Sequence, residues 1–437
     1  MRTVGSARTI LLIGVAAVSF LTLFRQSILI VPQQQELNGN QPQAAAIAVP
    51  QEFNRNQPQA AAIAVPQEFN RNLPQAAALN RRKFIRYESS SWEAEWLSVI
   101  GSFNSQNIRF PICEKLHVDV LRVRRYLNAT CNRFSSSESD WCVIEDTYRP
   151  IYFNRQTGLA QQNPPDGKLV ESFNQIQPLV IQDENADIFS RFVYFNEATN
   201  QTYYEYIEPL IAFLRHPLSC CEDYYNFSAN FAPRPGRSKA GCFGYLRTSR
   251  TQYIPPSPTM KREGGTFSDA ARYLYFDAGA SDWSAGSGGP SLKYFYEMYK
   301  VHGISFDKMY CYEAQTTVAE FNATLPQEHK NMVEYQQVYV RSQAAEDSST
   351  KGPFLPHLIQ QIAKKEDYVL FKLDIDSPGV EEGNIDYLLD PQNEILDYID
   401  EFFYEFHLER KAKRKMSDWY KIFLTFRNKG VRAHSWI

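Results

Sequence analysis

Residues 273–314 limit what this chain can fold into more than any other stretch. An apolar run at 273–276 ends in Asp277, and a glycine-rich segment follows with Gly279, Gly286, Gly288 and Gly289. The pattern then predicts an amphipathic helix from Ser291 to about His302 and a second strand at 306–312, ending in Glu313. Strand, glycine loop, helix and strand make a βαβ unit with an acid at each strand end. Such units hold nucleotide-like ligands, because glycine lets backbone N–H groups approach the ligand and the second acid accepts bonds from ribose hydroxyls.

The alternation continues to the C-terminus. Further strands are predicted at 335–340, 368–375, 402–407 and 431–436, and further helices at 318–325, 354–364, 380–389 and 417–429. Strands separated by helices argue an α/β domain over 266–437, with a mostly parallel sheet covered on both faces. Ligands of such sheets sit beyond the C-terminal strand ends. Those ends carry Asp277 and Gly279, then Glu313, then Lys372, Asp374 and Asp376, then Glu405 and His407. Asp374 and Asp376 are the strongest pair, since two carboxylates beside a lysine after an apolar strand are costly unless used or paired. Plainer readings stand beside each residue. Asp277 can cap the glycine loop, Glu313 can be a surface acid, His407 and His434 can be core or loop histidines, and Trp283 can be packing.

The N-terminal part carries no comparable motif. Residues 10–24 are apolar, Arg25 and Gln26 interrupt the run, and 27–31 extend it. Counted through Val31 the run reaches the ~20 residues of a spanning helix, and Arg2 and Arg8 before it favour a cytosolic N-terminus. A signal anchor over 10–31 behind a cytosolic tail of 1–9 is the preferred reading, and a cleaved signal peptide is the alternative. Both place the remainder in the secretory lumen or outside; the shortness of the run favours an ER or Golgi membrane, the Golgi being preferred. Residues 32–83 repeat the unit NQPQAAAIAVPQEFNR, beginning at Asn40 and again at Asn56. Too few large apolar residues occur there to stack into a core, so the segment reads as a low-complexity stalk.

Residues 84–265 read as a mixed α/β region of unknown role. Helices are predicted at 92–103 and 113–127, an extended segment at 191–195, and, within the apolar run 203–221, a buried helix ending near His216-Pro217. Six of the seven cysteines fall here (Cys113, Cys131, Cys142, Cys220, Cys221 and Cys242), enough for three disulfides, while Cys311 reads as a buried core thiol. Sequons at Asn128, Asn200, Asn226 and Asn322 are glycosylation candidates in a lumenal chain. The 46 Lys and Arg against 49 Asp and Glu leave a net charge of −3, which gives no reason to expect nucleic acid as a partner. Aromatic residues make up 14 % of the chain, which suits packed domains and not a disordered polymer.

Over residues 272–437 the chain resembles the FkbM-type methyltransferases, within the wider class of Rossmann-like enzymes that use S-adenosylmethionine. The resemblance rests on FDAGAS after the first strand, CYEA at the second, FKLDIDSPGVEEGNIDYLL, FFYEFHL and the ending GVRAHSWI. It implies that Asp277, Gly279 and Ala280 line the methionine end of S-adenosylmethionine and that Glu313 holds the ribose hydroxyls. It further implies that Asp374 and Asp376 face the methyl-transfer centre, with either of them or His407 as base. Two segments depart from the family pattern: the long loop SDWSAGSGGP, and Ser377-Pro378 inserted before Gly379. In the secretory lumen a glycan or other hydroxyl compound is the natural acceptor. Two other readings stay open. Asp374-Ile375-Asp376 also matches the DxD of glycosyltransferases that hold Mn²⁺ on a nucleotide sugar, and a non-catalytic interaction protein on a degenerate methyltransferase fold is the third.

Overall fold

A computed structural model describes residues 82–100, 115, 118–131, 140–143, 152–158, 160–161, 181, 183–196, 199–210, 253–256, 272–284, 292–343, 352–405 and 416–436. The predicted anchor over 10–31, the stalk through residue 81, Gly286, Gly288, Gly289, His407, Asn226, Cys113, Cys220, Cys221 and Cys242 lie outside the described residues. Among the described residues no helix is long and apolar enough to cross a membrane. All of them belong to one compact unit, Arg71–Ile437.

The C-terminal half is built on six strands, β7 (Tyr273–Ala278), β8 (Lys308–Glu313), β9 (Val333–Gln337), β10 (Tyr368–Leu373), β11 (Glu401–Glu405) and β12 (Arg432–Trp436). They pair in the order β12-β11-β10-β7-β8-β9, and every pairing is parallel. Helices connect them in turn: α3 (Leu292–Val301), α4 (Val318–Thr324), α5 (Leu355–Ile362), α6 (Pro378–Leu389) and α7 (Met416–Asn428). A parallel sheet flanked by helices in this way is compatible with a Rossmann-like α/β fold. The predicted β9 segment 335–340 is shifted toward the N-terminus in the structure, because Val333 and not Val340 pairs across to Met309 of β8.

Strand alternation divides the core into two layers. Leu274, Phe276, Ala278, Val369, Phe371 and Leu373 face one layer, with α5, α6 and α7. Tyr275 and Leu370 face the other, against Phe295 and Met298 of α3 and Phe321 of α4. Asp277 and Lys372 share the parity of Tyr275 and Leu370 and sit side by side in the β7–β10 register, both buried.

The N-terminal region contributes β1 (Arg82–Glu88), α1 (Ser91–Ile100), α2 (Val120–Cys131), a small sheet of β2 (Trp141–Val143), β3 (Tyr152–Asn154) and β4 (Ala160–Gln161), then β5 (Ser190–Asn196) and β6 (Gln201–Ile207). β1, β5 and β6 form an antiparallel sheet in the order β1-β5-β6. The predicted helix within 203–221 is corrected here, since its described start is strand β6. Tyr203, Tyr204, Tyr206 and Ile207 favour a pleated surface, and Glu205 and Ile207 point inward with period two. Cys142 is disulfide-bonded, and Cys311 is a free, buried thiol.

This region is joined to the far side of the parallel sheet by buried charges. Arg427 of α7 donates to Tyr87 Oη at 2.8 Å, to Glu93 Oε2 at 3.3 Å, and to the carbonyls of Glu208 and Ala433 at 3.1 and 2.9 Å. Arg432 pairs with Glu205 at 3.2 Å and Glu401 at 3.6 Å. His434 lies between Glu208 at 2.5 Å and Glu401 at 2.6 Å, stacked on Phe403. It is therefore a core histidine, as its plainer reading had it. Trp92 and Trp96 of α1 share a core cluster with Trp419 and Phe426 of α7.

Candidate functional site

The strand order makes β7 the first strand of the domain and places it centrally, so successive connections diverge on either side of the β7–β10 pair. A crevice at such a switch point, outside the carboxyl ends of the strands, is where open α/β sheets take ligands. Here the two ends are held in contact. Asp374 N donates to Ala278 O at 3.0 Å, continuing the ladder past β10. Gly279, at φ +102°, faces the Asp374 carbonyl so closely that a Cβ would lie 1.6 Å from that oxygen. Only glycine fits there. The N–H groups of Gly279 and Ala280 both donate to Tyr312 O, at 2.8 and 3.3 Å, tying the loop after β7 to the end of β8.

Under this crossing lies a buried ion cluster. Lys372 Nζ is 3.1 Å from Asp277 Oδ1 and 3.2 Å from Asp374 Oδ2, and the Tyr275 hydroxyl donates to Asp277 Oδ2 at 2.7 Å. Burial alone would lower the lysine, but Asp277 and then Asp374 outweigh it and hold the ammonium above its ordinary range. Burial raises the Asp277 carboxyl, against the pull of Lys372 and the Tyr275 hydroxyl. With both oxygens engaged inside the protein, Asp277 anchors Lys372 and through it Asp374.

Above the lysine the acids gather. Asp374, Asp376 and Glu405 each present an oxygen within 4.8 Å of the others. The parallel register sets Leu373 beside Tyr404, so the residues that follow, Asp374 and Glu405, leave neighbouring strands together. Asp376 is exposed and sits at φ +52°, a left-handed conformation that acidic and amide side chains tolerate better than most. Ser377 and Pro378 start α6 directly after it, and Glu381, buried in the first turn of that helix, accepts a bond from Ile375 N at 3.0 Å. The Glu405 carboxyl is pushed up to about 10, first by burial, then by its hydrogen bond to Asp374 and the charges of Asp374, Asp376 and Glu381. At neutral pH the Asp374–Glu405 pair therefore keeps a proton. Three oxygens at this spacing can also hold a hard divalent cation in its place.

Glu313 ends β8 one strand away from the switch point. It is half-exposed; Oε1 accepts from Gln315 N at 2.8 Å, and no hydrogen bond reaches Oε2 among the described residues. Trp283 is buried and stacked on His329 with ring centroids 4.6 Å apart, which bears out the packing reading for this residue. Glu405 was visible in sequence as a strand-end acid without an assigned role. The signal that would have assigned one is the register between β10 and β11, which single-sequence periodicity does not contain.

No family model, no curated protein and no solved structure matches this chain. The resemblance to the FkbM-type enzymes therefore rests on the sequence motifs alone.

Proposed function

We propose that the chain is a membrane-anchored, lumenal methyltransferase that uses S-adenosylmethionine to O-methylate a glycan or another hydroxyl acceptor. The observation that carries this reading is the switch in strand order between β7 and β10, with the Asp374–Asp376–Glu405 carboxylates on one side and Glu313 one strand away on the other. Glu313 fits the role of holding ribose hydroxyls, since it offers an accessible oxygen at the end of the second strand. Gly279 and Ala280 fit as the floor of the proposed site. Asp277 fits as the support of Lys372 and not as a ligand contact, because its oxygens are already taken. Bound S-adenosylmethionine supplies an activated methyl group on sulfonium.

The chain's own residues do the remaining work. Methyl transfer is an in-line displacement, so catalysis consists of holding the acceptor oxygen in line and removing its proton. Asp376, exposed beside a pair that already carries a proton, is the base in this reading. Asp374, fixed by Lys372, orients the acceptor through the proton it shares with Glu405. An anchor over 10–31 and a Golgi-type lumen complete the proposal, supported by the disulfide at Cys142, which belongs to an oxidising compartment.

The test is incubation of the purified chain with S-adenosylmethionine and a panel of oligosaccharides, reading methyl gain by mass. Wild type is expected to transfer and Asp376→Asn to lose activity; transfer unchanged by Asp376→Asn would reject the assignment. One observation favours a second reading. The three clustered carboxylates form a better cation site than DxD alone predicts, as a Mn²⁺-dependent glycosyltransferase requires. Release of a nucleoside diphosphate from a nucleotide sugar, with strict Mn²⁺ dependence, would replace the first reading by this one.

A further inference from the structure

Three of the sequons fall on described residues, and the fold treats them very differently. Asn128 lies within α2, its amide oxygen is buried, and the sequon hydroxyl of Thr130 is itself buried, donating to Tyr126 O at 3.0 Å. Asn322 lies in α4, and the hydroxyl of Thr324 is used twice, donating to Phe321 O at 2.9 Å and accepting from Trp283 N at 3.0 Å. Asn200 lies in the turn that joins β5 to β6, at φ +55°. Both Asn200 and Thr202 are exposed, and neither side chain has a hydrogen bond among the described residues.

We propose that Asn200 is a site of N-linked glycosylation and that Asn128 is not. The inference rests on the lumenal placement proposed above. In the transfer, Asn200 Nδ2 forms a bond to the anomeric carbon of a lipid-diphosphate-linked oligosaccharide. The bond from that carbon to the diphosphate oxygen breaks, the lipid diphosphate leaves with the electron pair, and one amide proton passes to solvent. The acceptor must present an exposed, non-helical Asn with an available hydroxyl two residues on. The Asn200 turn meets this requirement before and after folding, whereas the other two sequons are drawn into helices that form on a sub-microsecond scale. The hairpin register adds a location. Asn196, at the base of this turn, pairs with Arg82, the first residue of β1. A glycan on Asn200 therefore stands beside the point where the repeat segment enters the folded body.

The experiment expresses the full chain in eukaryotic secretory cells with a short C-terminal reporter sequon. Site occupancy is read by peptide N-glycosidase treatment in heavy-oxygen water and peptide mapping. We expect near-complete occupancy at Asn200, loss of one glycan's mobility step in Asn200→Gln and Thr202→Ala, its retention in Thr202→Ser, and no change in Asn128→Gln. A glycosylated reporter with unmodified Asn200 would overturn the proposal while leaving the lumenal reading intact. An unglycosylated reporter would overturn both. Occupancy at Asn128 in place of Asn200 would show that the folded environment does not select the site.

Discussion

Two clusters of charge lie on the same parallel sheet, and they differ in exposure: the first is wholly buried, while the second reaches solvent at Asp376. Toward the N-terminal strand ends, Glu93, Glu205, Glu208 and Glu401 meet Arg427, Arg432 and His434, and each of these carboxylates contacts at least one cationic or imidazole partner. At the C-terminal ends, Asp277 and Asp374 contact Lys372, and Asp376, Glu381 and Glu405 lie close to Asp374. Networks of buried, paired ions hold parts of a fold together. Carboxylates kept near solvent, one of them with its pKa raised by burial and by its acidic neighbours, are what functional sites accumulate. The first cluster therefore reads as the joint between the β1–β5–β6 region and the sheet, and the second as the place of the proposed chemistry.

The joint can be broken at one residue. Arg427→Met removes the cation from buried Glu93 and leaves two carbonyls and the Tyr87 hydroxyl without their donor, so a loss of about 3–5 kcal/mol is expected in urea unfolding. A loss under 1 kcal/mol would mean that the joint is not structural. Lys372→Met strands Asp277 in the core and should cost about 3 kcal/mol. Adding Asp277→Asn should recover much of that stability without restoring activity, because Asp374 remains unsupported; the non-additivity is read from a double-mutant cycle.

Asp376→Asn sharpens the contrast from the other side. The exposed left-handed position accepts Asn, so stability should stay within about 0.5 kcal/mol while transfer falls about a hundredfold or more. A pH dependence is expected at Glu405. Its carboxyl stands well above the ordinary 4.5, at about 10, so the folded chain keeps a proton that the unfolded chain releases between those values. Stability must then fall as pH rises through that window, and Glu405→Gln removes the dependence. The variant should melt higher than wild type at pH 8 and alike at pH 4, measured by thermal melts across pH.

How much of this was legible differs between the clusters for a physical reason. Asp374 and Asp376 could be read from sequence because an apolar strand running into two acids is a local pattern. The same locality exposed the alternation of the parallel sheet, though it put the β9 segment two residues late. The joint was illegible, since Arg427 meets Tyr87 across 340 residues and no periodicity links positions so far apart. Glu405 fell between these cases: its place at a strand end was local, while its pairing with Asp374 needed the register. The β6 error came from density. Tyr203–Ile207 is apolar enough for a buried helix, and only the inward placement of Glu205 and Ile207 marks it as a half-buried strand.

The account stands most directly on calorimetric titration of S-adenosylhomocysteine into the purified full-length chain, with Glu313→Ala as the paired variant. It predicts micromolar binding that the variant loses, with both proteins melting alike. A folded chain that gives no heat with this ligand, or a variant that binds as well as wild type, would contradict the assignment of the C-terminal strand ends as a methyl-donor site.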